Sequence, residues 1–426
     1  MSRHHPGAQP GARLPDLGLL RNRDFRRLFG STAASQIGFH FTLLALPLVA
    51  IISLDASELE AGLLFALMNA AFLLIGLPAG AWVDRMNHRH VLIAGDLARA
   101  VLLVSVPAAW WAGLLTIWQL YAVAFLFGAC TVFFDVAYQS YLPHLVGRDR
   151  LVEGNAKLEA VRAVAQVGAP GAGGQLMQAL TAPVALVTNA IAMGLSSLLV
   201  ARIERPDPPP QPGDRASLGR DILAGLRFVL ANPALRAIAA STATANLFFS
   251  MYLAMLPFFL ARDLALAEGV IGAVISISGT GGILGAFIAS KLARRIGTGA
   301  AIWMSLAFTT PFALLLPWAE PGWRVWLGTA GLAVVFAGSV VFNVVQVSLR
   351  QAITPDHLLG RMNATLRFLM WGTLPLGGVA GGVLGDWLGA RTTLVLATAG
   401  AMLAFLPVIA SPLRQLREMP KVGVDQ

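Results

Sequence analysis

The sequence predicts an all-α polytopic membrane protein of twelve transmembrane helices in two pseudo-symmetric six-helix bundles. Three observations carry that reading: a shortage of charge, a series of apolar runs of bilayer length, and a repeat of the first half of the chain in the second. Of 426 residues, 12% are charged and 56% hydrophobic, whereas a soluble domain carries about 25% charged residues to solvate its surface. The runs are 28–52, 61–83, 91–112, 117–139, 160–181 and 184–202, then 236–260, 270–290, 299–319, 325–347, 364–387 and 392–412. A helix of about 20 residues crosses about 30 Å of hydrocarbon, and with no water in that layer each span must satisfy its own backbone hydrogen bonds. A β-barrel would show shorter, alternating strands instead.

The formal charge of +9 raises the question of anionic partners, and the placement of the basic residues answers it. They gather on alternate connections: Arg21, Arg23, Arg26 and Arg27 before the first span, Arg85 and Arg89 after the second, Arg148, Arg150 and Lys157 after the fourth. The pattern continues with Arg202 to Arg227, with Lys291, Arg294 and Arg295, with Arg350 and Arg361, and with Arg414, Arg417 and Lys421. The intervening turns are nearly free of Lys and Arg; SLDASELE at 53–60 is acidic, and Arg262, Arg324 and Arg391 are the exceptions. This is the positive-inside distribution. It places both termini in the cytoplasm and makes the bilayer rather than nucleic acid the partner; the expected location is the plasma membrane. The polar, Pro/Gly-rich opening MSRHHPGAQPGARLPDLG lacks the apolar core and cleavage site of a secretory signal, so insertion is expected to rely on the first span. The lone Cys130, inside an apolar run, excludes an intrachain disulfide and reads as a small packed residue.

The Pro-rich stretch ERPDPPPQPGDRAS between the sixth and seventh spans cannot be a span. The expected organisation is a cytoplasmic tail 1–27, a bundle 28–203, a cytoplasmic linker 204–235, a second bundle 236–413 and a tail 414–426. A shift of 210 residues superposes Leu20, Asn22, Arg26, Ser31, Thr32, Ala33, Leu46 and Pro47 on Leu230, Asn232, Arg236, Ser241, Thr242, Ala243, Leu256 and Pro257. A shift of 208 superposes Ser140, Asn155, Ala156, Leu158, Gly173, Gly174 and Leu176 on Ser348, Asn363, Ala364, Leu366, Gly381, Gly382 and Leu384, and brings Asp135 onto Asn343. Two six-helix repeats of one orientation imply a twofold axis along the membrane normal, a substrate site between the halves, and alternating access by rocking of one bundle against the other.

At the cytoplasmic end of the second span stands Gly80-Ala-Trp-Val-Asp84-Arg85-Met-Asn-His-Arg89-His90. It resembles the G-x-x-x-D-R-x-x-[RK]-[RK] loop of the major facilitator superfamily, with a histidine at one of the two final basic positions and, in the second copy, Ala289 in place of the acid. Gly80 would admit a close helix contact, and Asp84, Arg85 and Arg89 would form a gating network made in one access state only. The alternative is a solvated loop obeying the charge rule. LLRNRDFRRLFGSTAASQIG, ALPLVAI (45–51), FFDVAYQSYLPHLV (133–146), GLRFVLANPALRA (225–237) and GRMNATLRFLMWGTLPLGG (360–378) resemble the branch containing macrolide-efflux and enterobactin-exporter proteins. That resemblance implies export of drugs or siderophores in exchange for protons.

Ala169-Pro170-Gly171-Ala172-Gly173-Gly174 in the fifth span resembles the G-P-x-x-G-G core of the antiporter motif, with Ala169 for the first Gly and Ala165 and Ala156 at earlier motif glycines. Small residues admit close helix contact and Pro170 bends the span, which would seal one side of a cavity; Gly-rich membrane helices in general are the competing explanation. Charged groups inside spans are costly and usually functional. Asp135 in the fourth span is the first proton-coupling candidate, set against a structural partnership with Arg162. His40 in the first is the second, set against a hydrogen-bonded packing role. Relatives in the branch often have an acid after the glycine corresponding to Gly38, where this sequence has Phe39.

Gln36, Asn69, Gln139, Gln166, Asn246, Tyr252, Asn343 and Gln346 are the polar candidates for a central cavity, with Phe41, Phe248, Phe249 and Trp371 as further aromatic surface. An apolar cavity with a few amides suits an amphipathic organic molecule, although an interhelical hydrogen bond is the stronger reading of each amide taken singly. The reading is a monomeric proton-coupled exporter of such a molecule, an antibiotic or a siderophore. The alternatives are an uptake symporter or lipid-handling facilitator on the same fold, or a receptor that binds without transporting. Without a Walker loop or metal-ligand cluster in the sequence, no enzymatic activity, cofactor or metal is expected.

Overall fold

A computed structural model of the chain describes residues 18–83, 85–204 and 218–418. The first six membrane helices are α1 (Arg23–Ser53), α2 (Glu58–Val83), α3 (His88–Trp111), α4 (Ile117–Val146), α5 (Leu151–Leu180) and α6 (Ala182–Ala201). A shorter helix, α7 (Leu218–Ala231), follows within the segment read as a linker and packs on α12. The second set is α8 (Pro233–Phe258), α9 (Glu268–Ile296), α10 (Thr298–Thr309), α11 (Trp323–Ala352), the paired α12 (Asp356–Trp371) and α13 (Thr373–Leu388), and α14 (Ala390–Ala401).

Eleven segments among the described residues are long and apolar enough to cross a bilayer. The remaining crossing is α5, whose Glu153, Lys157, Glu159 and Arg162 dilute its apolar character. It nevertheless packs along α1 in its own bundle and α9 in the other, which a helix outside the membrane body would not do. With an even number of crossings, the start of α1 and the end of the last crossing lie at one face, the terminal face; the other is the far face.

The repeat seen in the sequence recurs in the local chemistry of the two bundles. Asn22 and Asn232, 210 residues apart, are the N-caps of α1 and α8. Asn22 Oδ1 accepts from the N–H groups of Asp24 (2.9 Å) and Phe25 (3.2 Å), and Asn232 Oδ1 from those of Ala234 (2.9 Å) and Leu235 (3.2 Å). Each cap satisfies two donors that the helix start leaves open. Ser31 and Ser241, also paired by the repeat, both bond from the first helix of their bundle to its last segment: Ser31 to Ser196 at 2.7 Å, and Ser241 Oγ to the Ala404 carbonyl at 2.6 Å.

The sharp junctions α5–α6 and α13–α14 are a third pair, 208 residues apart. Each passes through one residue of positive φ, Thr181 (φ 78°, ψ 150°) and Gly389 (φ 81°, ψ 156°); α9 and α10 are joined the same way at Gly297 (φ 94°, ψ 154°). This conformation is essentially restricted to glycine, so Thr181 is strained where its counterparts are not. Its side chain is exposed, so nothing is lost by removing it. Thr181→Gly relieves strain of about 1–3 kcal/mol against roughly 0.5–1 kcal/mol of added chain entropy; the expected outcome is a higher unfolding temperature for the purified protein in detergent.

Candidate functional site

The two bundles meet tightly at the far face and part towards the terminal face. At the far face two helix pairs, α5–α9 and α2–α13, approach backbone to backbone because glycines face each other. A methyl group built on Gly174 would stand 2.9 Å from the Gly272 Cα, and one on Gly272 would stand 2.9 Å from the Gly174 Cα. A methyl group on Gly62 would lie 2.7 Å from the Gly378 carbonyl. Contacts this close are possible only without a Cβ. Pro170 cannot donate to the carbonyl one turn back, and beside that gap Ser276 of α9 donates across the interface to the Val167 carbonyl. Of the antiporter-type residues, Pro170 and Gly174 therefore face the other bundle, while Gly173 faces Phe41 of α1 in its own.

The three arginines that break the charge pattern lie on this far face, and each is held. Arg262 donates to the Ile51 carbonyl at 2.8 Å and pairs with Asp55, linking the end of α8 to the end of α1. Arg324 pairs with Glu320 at 2.6 Å. Arg391 donates to the Pro317 carbonyl at 2.9 Å and stands over the Phe259 ring.

Below the seal lies a cavity of about 880 Å³ between the bundles, lined by α2, α4, α8, α10, α11 and α12. Helical spacing sets its polar surface: Asn343, Gln346 and Arg350 recur on one face of α11, and Asn363, Arg367 and Trp371 on one face of α12. Asp135 and Gln139 face it from α4 and Asn246 from α8. Gly360 and Arg350, within a turn or so of their helix ends, carry it to the terminal face. At its inner end Trp371 meets Phe72 edge-on, with ring centroids 5.4 Å apart. Here α12 gives way to α13, because Pro375 cannot donate to the Trp371 carbonyl. The neighbouring Met370 carbonyl accepts from the Asn246 amide and the Thr373 hydroxyl, both at 2.8 Å.

Four of the eight polar candidates, Gln139, Asn246, Asn343 and Gln346, line this cavity. The other four lie elsewhere in this conformation. Tyr252 is buried and donates to the Ala313 carbonyl at 3.2 Å; Asn69 donates to the Phe65 carbonyl of its own helix at 2.8 Å; Gln36 is half-buried on α1 and Gln166 is exposed on α5. Among the aromatics, Phe249 and Trp371 are at the cavity, whereas Phe41 packs on Gly173 and Phe248 on Gly400. Asp135 is within electrostatic reach of Arg162, Arg99 and Arg367, and His40 is within reach of the same Arg162. Phe39, where relatives often have an acid, stacks on Phe127 with centroids 6.4 Å apart.

In the gating motif, Gly80 has open space around it rather than the close helix contact expected, and Arg85 is exposed. Arg89 donates to the Val200 carbonyl at 3.4 Å and to the Ala201 carbonyl, both at the C-terminal end of α6, where a cation is favoured. Asp84 lies outside the described residues.

The sequence reading missed the most deeply buried charges among the described residues. Asp96 and Arg99 of α3 pair with each other and are 0% and 1% exposed. Asp96 also accepts from Ser35 of α1 (3.4 Å) and from Ser196 of α6. Arg99 donates to Ser35 (3.1 Å) and to the Gly95 carbonyl (3.4 Å), with its guanidinium 4.5 Å from the Phe134 ring centroid of α4. One pair thus ties together four helices of the first bundle. The signal was present: AGDLARA places two charges three residues apart inside an apolar run, on one helix face.

A model of the Major Facilitator Superfamily matches residues 28–373. The multidrug efflux pump Tap of Mycolicibacterium fortuitum is 27% identical over 411 residues, covering 92% of this chain and 96% of that one. The enterobactin exporter EntS of Escherichia coli O1:K1 / APEC is 27% identical over 420 residues, covering 96% and 97%. Among solved structures, a bacterial homologue of the iron transporter ferroportin in its inward-facing state superposes with a TM-score of 0.73 at 15% identity, covering 91% of this chain and 98% of that one.

Removing one member of a buried ion pair strands the other, at a cost of about 3–5 kcal/mol. Arg99→Leu alone is therefore expected to lower the unfolding temperature sharply. The double variant Asp96→Leu/Arg99→Leu recovers much of that loss, as read by thermal unfolding of each purified variant.

Proposed function

The chain belongs to the Major Facilitator Superfamily, and from that premise we propose that it is a monomeric, proton-coupled exporter of an amphipathic organic molecule from the cytoplasm. The cavity between the bundles carries the proposal. It is closed by backbone contact at one face, reaches the other, and offers apolar walls with a few amides, an acid and two arginines, as an amphipathic ligand requires. Tap is a multidrug efflux pump and EntS an enterobactin exporter, and each aligns over nearly the whole chain, which favours export.

On this reading the terminal face is cytoplasmic, because the basic loops lie there, and the conformation described is open inward. The far-face seal at Pro170, Gly174 and Gly272, with the Arg262–Asp55 latch, opens in the outward state. The Gly80, Asp84, Arg85 and Arg89 segment is the proposed gate at the cytoplasmic face in that state.

Asp135 is the proposed proton site. Ionised, it attracts Arg367 on the opposite bundle; protonated, it loses that attraction, so its proton changes the force between the halves. His40 shares its neighbour Arg162 and is the proposed auxiliary. The departures Ala169, Ala165 and Ala156 in the antiporter motif support a second reading, uptake by symport on the same fold, which differs in the direction of substrate relative to protons.

In proteoliposomes with an imposed pH gradient, Asp135→Asn is expected to abolish gradient-driven flux while leaving downhill exchange measurable. Retention of the pH dependence would remove Asp135 from the proton path. Orientation is tested separately in a Cys130→Ala background. An impermeant thiol reagent applied to intact cells is expected to label Leu114→Cys, on the α3–α4 turn, and not Met86→Cys, on the α2–α3 turn.

A further inference from the structure

We infer that the cavity selects an amphipathic organic anion, whose acidic group is held between Arg350 and Arg367 and whose apolar body lies along Trp371 and Phe249. The inference deepens the transport reading and rests on this cavity being the substrate site.

The charged residues lining the cavity are Asp135, Arg350 and Arg367, so the lining carries an excess of positive charge. Both cations come from the second bundle, on α11 and α12, and they are close enough to repel one another. Among the described residues, neither arginine is paired with a carboxylate at salt-bridge distance. The Arg350 Nε is buried without an acceptor, and its Nη1 meets the Met370 sulfur at 3.8 Å, a weak acceptor. Arg367 stacks its guanidinium over the Trp371 ring, 4.6 Å from the centroid. Asp135 belongs to the opposite bundle and shares its field among Arg162, Arg99 and Arg367, so a single carboxylate cannot neutralise the pair.

Arginines near a membrane face commonly snorkel towards lipid headgroups. These two instead project from the cavity-facing sides of their helices, one of them with a buried, unanswered nitrogen. Two under-neutralised guanidinium groups lining one cavity favour a carboxylate or comparable anion, because such groups accept in the planar, paired geometry that guanidinium offers. The aromatic surface beside them supplies the apolar contact. The substrate's negative charge also separates its binding from that of a cation, which the pair repels.

Fluorescein and rhodamine 6G test this, since they share a xanthene body and differ in the sign of their charge. Binding is measured by fluorescence anisotropy on the purified full-length protein, at fixed pH and without a gradient, so the result does not depend on flux or proton coupling. Failure of transport with intact anion binding would count against the exporter reading alone. The expected result is a preference for fluorescein of about tenfold or more, lost in Arg350→Gln/Arg367→Gln, in which rhodamine 6G binds more tightly. Arg350→Lys/Arg367→Lys, which keeps the charges, is expected to retain part of the preference and guards against a misfolded Gln variant. Equal affinities in the wild type, preference for the cation, binding of neither dye, or a fluorescein affinity unchanged in a folded Gln variant would overturn the inference.

Discussion

Close packing of glycine backbones between the two bundles is the constraint on which the rest of the molecule depends. Where Gly174 meets Gly272 and Gly62 meets Gly378 and Gly382, the helices approach to distances that no side chain would permit. In lipid there is no bulk hydrophobic drive to bring helices together, so complementarity of this kind decides where the halves adhere. Because the glycines are concentrated at the far-face ends of α2, α5, α9 and α13, the bundles touch there and diverge towards the other side. The cavity follows from that asymmetry.

Much of the architecture was legible in the sequence, for reasons that can be named. Apolar run length fixes a helix that must cross hydrocarbon, and a helix stands on every run, several beginning before it, whereas α10 and α14 end well short of 319 and 412. The extensions, such as α4 to Val146 and α5 from Leu151, were invisible to hydropathy because they are polar. The same limitation hid α7, whose Leu218–Ala231 sequence is far too mixed to be a span, yet whose Gly225 lies close against the α12 backbone at Arg361. The division of the eleventh crossing at Trp371–Thr373 was foreshadowed by Gly372 and Pro375 but needs tertiary partners for the freed carbonyl.

The site was legible in part. Asp135, Gln139, Asn246, Asn343 and Gln346, singled out as polar groups on spans, line the cavity, whereas Tyr252 and Asn69 lie elsewhere. Sequence alone cannot tell a cavity-facing amide from one bonded within its own helix, because both sit on spans and both are polar. Asp96 and Arg99 went unread because their charges cancel each other inside the bundle. Opposite charges at that spacing on an apolar helix are the pattern to look for, and here they bind α1, α3, α4 and α6 into a single body.

The break between α12 and α13 has a mechanical consequence. The segment bearing Arg367 and Trp371 is joined to the segment bearing Gly378 and Gly382 through a stretch interrupted at Pro375, where one rung of the helical ladder is missing. A swing of the outer segment is therefore absorbed at this joint before it reaches the inner one. On the transport reading, the arginine-bearing arm moves with a ligand while the glycine clasp beyond it stays shut, so the two ends of the path need not move in a single stroke.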